Sequence, residues 1–207
     1  IVKHIYLATE YQNKGDHDLA IKELEYILKL DPDEEFAHYM MAFQYYKKGN
    51  YKVALEWINR SVELIEIKFD FDDIKNIDQI FKDMIAEIFF KRSEILVQLH
   101  NSFEDPDNSP EDPDGILLFN DLNKAIELCP ENARYLTVRS EMYQAILQPH
   151  LALEDIEKAA ELEPNDSYIL SVLHNAFRQV ELYNTYKSSS ETINLIDKGE
   201  GNQIEFK

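Results

Sequence analysis

Residues 1–34 read IVKHIYLATEYQNKGDHDLAIKELEYILKLDPDE, and the remainder of the 207-residue chain is organised by this stretch. Ile1, Ile5, Ala8 and Tyr11 recur at steps of three and four, the period of one helix face. Asn13-Lys14-Gly15-Asp16 is a stop-and-start signal. Gly15 accepts the positive φ of a helix end, and Asp16 is suited to capping the helix that follows. Ala20, Leu24, Ile27 and Leu30 line a second helix. Asp31-Pro32 ends it, because proline cannot continue the hydrogen-bond ladder. Small residues at Ala8 and Ala20 let the two backbones approach closely. Thirty-four residues further on, Ala8, Tyr11, Gly15, Ala20 and Leu24 return as Ala42, Tyr45, Gly49, Ala54 and Ile58, with Val62 continuing the apolar face. A fixed period of this size means a stack of helical hairpins, none of which buries its apolar face alone.

Small residues at the helix contact, with proline after the second helix, make the stretch resemble the tetratricopeptide repeat. That resemblance implies an all-α, right-handed helical solenoid of four helix-turn-helix repeats with a C-terminal capping helix. Repeat one is 1–34. Repeat two is 35–68 and lacks the terminal proline. Repeat three is 86–132 and is interrupted. Pro130 lies 98 residues after Pro32 where two periods require 68, so 30 residues are surplus, 17 before the repeat and 13 inside its turn. Ile74, Ile77, Phe81, Met84, Ile88, Ile95 and Leu99 predict one long helix over about 73–100. Such a helix spans about 42 Å and overhangs its neighbours. The surplus in the turn falls within 101–115, which holds six acids and three prolines and reads as a solvated loop. Repeat four is 133–166, where Arg139-Ser140-Glu141 echoes Arg92-Ser93-Glu94. A capping helix is expected over 167–186, followed by a flexible joint at Ser188-Ser189-Ser190. The tail, 187–207, holds Leu195, Ile196, Gly199, Glu200, Glu205, Phe206 and Lys207. In these it resembles the opening of a Schlafen-type AlbA-like domain, which implies a longer, nucleic-acid-associated protein. A chain that starts at Ile1 rather than Met fits a piece of a longer one.

Composition excludes several classes. A net charge of −19 repels phosphate backbones, so direct nucleic-acid binding by this segment is not expected. The single Cys129 cannot close an internal disulfide, which fits a cytoplasmic chain. No apolar run is long enough to span a membrane. Six scattered histidines, no cysteine cluster, no glycine-rich phosphate loop and no nucleophile elbow leave no catalytic, cofactor or metal site in view. Ser93 and Ser140 stand at the small-residue position and read as structural. The acidic run 104–114 has proline where a calcium loop needs glycine, so a solvated charge run is the better reading.

The resemblance implies that first-helix positions line a concave groove holding extended peptides. Phe36, Tyr39, Phe43, Tyr46 and Phe90 then form an aromatic patch, joined by Glu94 and Glu141. Exposed aromatics in a cluster mark a partner surface. The competing reading packs them against adjacent helices. Relatives that grip chaperone tails use a clamp of Lys, Asn and Arg, and the matching positions here are Ile5, Thr9, Met40, Glu87 and Lys91. A terminal carboxylate is therefore not the expected ligand, and the negative field favours a neutral to basic protein or peptide. The expectation is a protein-recognition scaffold with no chemistry of its own. The alternatives are a regulatory arm of a nucleic-acid-associated protein, and a self-assembly module in which the overhanging helix pairs with a second copy.

Overall fold

The computed structural model describes residues 1–69, 77–102 and 113–197, with side chains described except at 100–102, 113–114 and 189–197. These residues are helical with short turns and contain no strand. In chain order the helices are α1 (Val2–Lys14), α2 (His17–Leu30), α3 (Glu35–Lys47), α4 (Tyr51–Lys68), α5 (Gln79–Ser102), α6 (Pro113–Leu128), α7 (Ala133–Ala145), α8 (Pro149–Leu162) and α9 (Ser167–Asp197). The expected class, a solenoid of helical repeats, is what the chain forms.

The chain divides into two compact units, Ile1–Pro130 and Glu131–Lys207. In the first, α1 pairs with α2, α3 with α4 and α5 with α6, while α2 meets α3 and α4 meets α5 to pass the stack along. In the second, α7 and α8 form a hairpin and α9 packs on both. The close approach within each pair rests on the small residues. Ala8, Ala20, Ala42, Ala54, Ser93, Ala125, Ser140, Ala152 and Ala159 are all buried. The serines are structural, as expected: Ser140 Oγ donates to the Ala152 carbonyl at 2.7 Å, and Ser93 Oγ to the Phe90 carbonyl at 2.7 Å.

Three turns share one geometry. Gly15 and Gly49 lie at φ 78 and 75, seven residues after Ala8 and Ala42. The following amides reach back into the helix, Asp16 N to the Tyr11 carbonyl at 2.9 Å and Asn50 N to the Tyr45 carbonyl at 2.9 Å. This satisfies carbonyls that the helix end leaves open. The third turn places Leu147 at φ 58, seven residues after Ser140, with the same bond from Gln148 N to the Tyr143 carbonyl at 2.8 Å. Asp16 was expected to cap α2 through its side chain. It does not; its backbone carbonyl accepts from Leu19 and Ala20 instead.

Several boundaries differ from those read in the sequence. The capping helix runs to Asp197, through the serines where a joint was expected. Residues 70–76, including the expected start of the long helix and Ile74, lie outside the described residues, as do 103–112 of the acidic loop and 198–207 of the tail. Leu30 and Leu162, placed on the inner faces of α2 and α8, are exposed because each is the last residue of its helix and has run past its neighbour.

Ion pairs, the first buried and the second half-buried, tie α5 to α6 and α7 to α8 at equivalent places. Arg92 donates from Nε and Nη2 to Asp121 at 2.6 and 2.7 Å, and Arg139 donates to Asp155 at 2.7 Å from each of the same two nitrogens. These two-pronged bridges are the geometry a guanidinium and a carboxylate prefer. They give the Arg-Ser echo in the sequence its physical meaning.

Candidate functional site

The small residue of each first helix gives a common ruler. α1 begins six residues before Ala8, α3 seven before Ala42 and α7 seven before Ser140. α5 begins fourteen before Ser93. It therefore carries about two additional turns, roughly 10 Å at 1.5 Å per residue. Those turns, residues 79–85, extend past the point where the other first helices start.

A groove opens between this extension and α3. Its volume is about 500 Å³. One wall is α3, with Phe36, Ala37, Tyr39 and Met40, and with Glu34 at its N-cap. Ile5 of α1 contributes beside it. The opposite wall is α5, with Ile80, Asp83, Met84 and Glu87. The lining is mostly apolar, yet Ile80 and Met84 are 69% and 38% exposed, so the α5 wall presents its apolar side chains to solvent.

Among the described residues, every charged residue of the lining is acidic. The Glu34 carboxylate accepts from the Ala37 backbone N–H, a cap that suits a carboxylate at a helix N-terminus. Burial pushes the Glu34 carboxyl above its ordinary value. Asp83 accepts from Gln79 Nε2 at 2.7 Å and from the Cys129 thiol at 3.1 Å. Burial, with Asp83 beside it, pushes that thiol up to about 12, so Cys129 stays protonated and unreactive at neutral pH.

The structure divides the expected aromatic patch. Phe36 and Tyr39 line the groove. Phe43 and Tyr46 do not; the Lys91 ammonium sits over both rings, 5.4 and 5.0 Å from their centroids. Lys91 is 4% exposed and is ion-paired to Glu94, which commits Glu94 to an internal contact. This cation, two half-buried rings and a carboxylate form a cluster joining α3 to α5, and the Lys47 ammonium also lies over the Phe43 ring at 5.3 Å. Phe90 is fully buried, because the middle of α5 is enclosed by α3, α4 and α6. Phe90 therefore belongs to the core and not to a partner surface. Glu141, in the second unit, accepts from the Tyr168 hydroxyl at 2.5 Å, which pushes that phenol up to about 12.

Of the chaperone-tail clamp positions, Ile5, Met40 and Glu87 line the groove and Lys91 is enclosed. Among the described residues no cation lines it, so none of them there would hold a terminal carboxylate. Of the lining, only Phe36 and Tyr39 were read from the sequence as partner contacts; Ile5, Met40 and Glu87 were named only as clamp positions, and Glu34, Ala37, Ile80, Asp83 and Met84 were missed. Their signal was present: Phe81 and Met84 kept the helical period in a stretch that has no counterpart in repeats one, two or four.

Among the described residues no cluster of His, Cys, Asp or Glu has the makings of a metal site. Nor, among them, is any helix long and apolar enough to cross a membrane.

Comparison with known proteins agrees with this architecture. A family model described as tetratricopeptide repeat matches residues 7–34. The DnaJ homolog subfamily C member 3 homolog of Dictyostelium discoideum is 27% identical over 193 residues, covering 81% of this chain and 37% of that protein. Human DnaJ homolog subfamily C member 3 is 27% identical over 176 residues, covering 83% and 31%. The chain thus spans about a third of the length of these curated relatives. Among solved structures, MamA from Desulfovibrio magneticus RS-1 is similar with a TM-score of 0.64 at 14% identity, covering 98% of this chain and 96% of that one. Pseudomonas aeruginosa PilF is similar with a TM-score of 0.64 at 17% identity, covering 90% and 71%. At such identities the likeness is one of fold. The matches support the tetratricopeptide repeat and not the Schlafen-type tail, whose Gly199 to Lys207 lie outside the described residues.

Proposed function

We propose that this chain, a helical-repeat fold that carries a tetratricopeptide repeat, is a protein-recognition scaffold. It binds a segment of a partner in the groove between α3 and α5 and performs no chemistry itself. The observation that carries the reading is the groove. It is a mostly apolar cavity of about 500 Å³ with Phe36 and Tyr39 on one wall and exposed Ile80 and Met84 on the other. Apolar surface left in water costs about 25 cal/mol per Å², and a partner that covers it recovers that free energy. The expected partner is neutral to basic, because Glu34, Asp83 and Glu87 line the groove and the chain carries −19 overall. Phe43, Tyr46, Phe90, Glu94 and Glu141, read from the sequence as partner contacts, have no part in this site.

A random dodecapeptide library selected on the immobilised chain tests the reading. Enriched peptides should lose at least tenfold in affinity for the double variant Phe36→Ala, Tyr39→Ala, with helical content by circular dichroism unchanged. Equal binding to the variant would place the recognition surface elsewhere. Failure to enrich any peptide would count against the scaffold reading.

A further inference from the structure

The two additional turns of α5 are the element that is particular to this chain. Ile80, Asp83 and Met84, three of the four α5 residues in the groove wall, belong to those turns. A first helix cut to the length of α3 would begin near residue 86 and leave only Glu87 on that side. The groove would then be a shallow strip on α3. We infer that the α5 extension is the specificity wall of the site, selecting a partner segment in which Lys or Arg lies beside bulky apolar side chains. The inference rests on the groove being the recognition site.

Two properties of the wall support this ligand chemistry. Ile80 and Met84 stand one turn apart on the helix, so they cover neighbouring apolar side chains of a bound segment. Asp83 lies between them in sequence, with Glu87 one turn further along the same side, and Glu34 faces them from the N-cap of α3. A cation entering between these apolar walls meets carboxylates of a single sign in a partly desolvated setting, where charge pairing is worth more than in open water. An acidic segment of the same shape would be repelled. Arg and Lys also keep their apolar stems against such a wall while the charged head reaches the carboxylates. A second copy of this chain is a poor occupant by the same measure, since two copies would bring −19 against −19.

Three fluorescein-labelled dodecapeptides test the inference by anisotropy at physiological salt: one of leucine and lysine, one of leucine and serine, one of leucine and glutamate. The leucine–lysine peptide should bind at least tenfold tighter than the leucine–serine peptide, and the leucine–glutamate peptide should be the weakest. Ile80→Ser with Met84→Ser leaves the net charge unchanged and should cost the leucine–lysine peptide at least tenfold. Phe81→Ser is the control, since Phe81 is exposed on the same turns but does not line the groove; it should cost less than twofold. Asp83→Asn with Glu87→Gln should shrink the preference for lysine over serine to threefold or less. Unchanged binding to the Ile80→Ser, Met84→Ser variant would overturn the inference. If Phe36→Ala, Tyr39→Ala still weakened the peptide, the groove would stand without its proposed wall; if neither pair mattered, both readings would fall. Self-association abolished by Ile80→Ser, Met84→Ser would make a second copy the occupant and likewise overturn the proposal.

Discussion

Leu147 holds a backbone that its two counterparts assign to glycine. At φ 58 it closes the α7–α8 turn as Gly15 and Gly49 close theirs, and its side chain is 76% exposed. A side chain in the left-handed region crowds its own backbone, while glycine does not. Leu147→Gly should therefore raise stability by about 0.5–1 kcal/mol, the relief exceeding the extra entropy of an unfolded glycine. Urea unfolding measures it, and a lower midpoint at unchanged slope would contradict the assignment. Glu34 gives a pH signature. Its carboxyl is held above its ordinary value by burial, so in the window just above 4.5 the folded chain keeps a proton that the unfolded chain releases. The contribution of Glu34 to stability thus declines as pH rises through that window. Glu34→Gln keeps an oxygen for the Ala37 N–H and removes the charge. The variant should gain stability over the parent as pH goes from about 4 to about 7; urea midpoints across that range check the sign. The turn glycines, the small contact residues and the buried serines were all legible, because each is a local demand on backbone or volume. The Lys91 cluster was not. It needs Phe43 and Tyr46 of one helix and Glu94 of another to converge, and no spacing within a helix encodes that.

Within α5 one helix does two jobs, and its halves differ in what they bury. Residues 85–96 are almost wholly enclosed, whereas Ile80, Phe81 and Met84 face solvent. Phe90→Ala should cost about 3–5 kcal/mol, the range for emptying a large aromatic from a core. Ile80→Ser with Met84→Ser should stay within about 0.5 kcal/mol, as for surface positions away from packing. Thermal unfolding of the two variants checks both, and a Phe90→Ala variant as stable as the parent would return Phe90 to the surface. The unusual length of the third-repeat helix was readable from apolar spacing alone. Which part would be core was not, since Phe81, Met84, Ile88 and Ile95 obey the same period. Burial depends on where the partner helices start, and α3 starts seven residues later on the common ruler. Phe90 was misplaced for a different reason: it stands three residues before Ser93, as Tyr39 stands before Ala42, but here α3, α4 and α6 close over the position.

At the scale of the molecule, a 34-residue period specified the repeat fold and located the surplus residues around repeat three. Those surplus residues include the turns that make the groove, so the departure from the period carried more about function than the period did. The charge of −19 argued against nucleic acid and for a neutral to basic partner before any geometry was known. The groove then gave that charge a local counterpart in Glu34, Asp83 and Glu87. The most direct test of the recognition site is methyl NMR of the chain labelled at isoleucine and methionine, titrated with the leucine–lysine dodecapeptide. Ile5, Met40, Ile80 and Met84 should shift together and saturably, while Ile27, Ile58 and Ile156 of the core stay in place. Shifts confined to other methyls, or spread evenly over the chain, would contradict a partner site between α3 and α5.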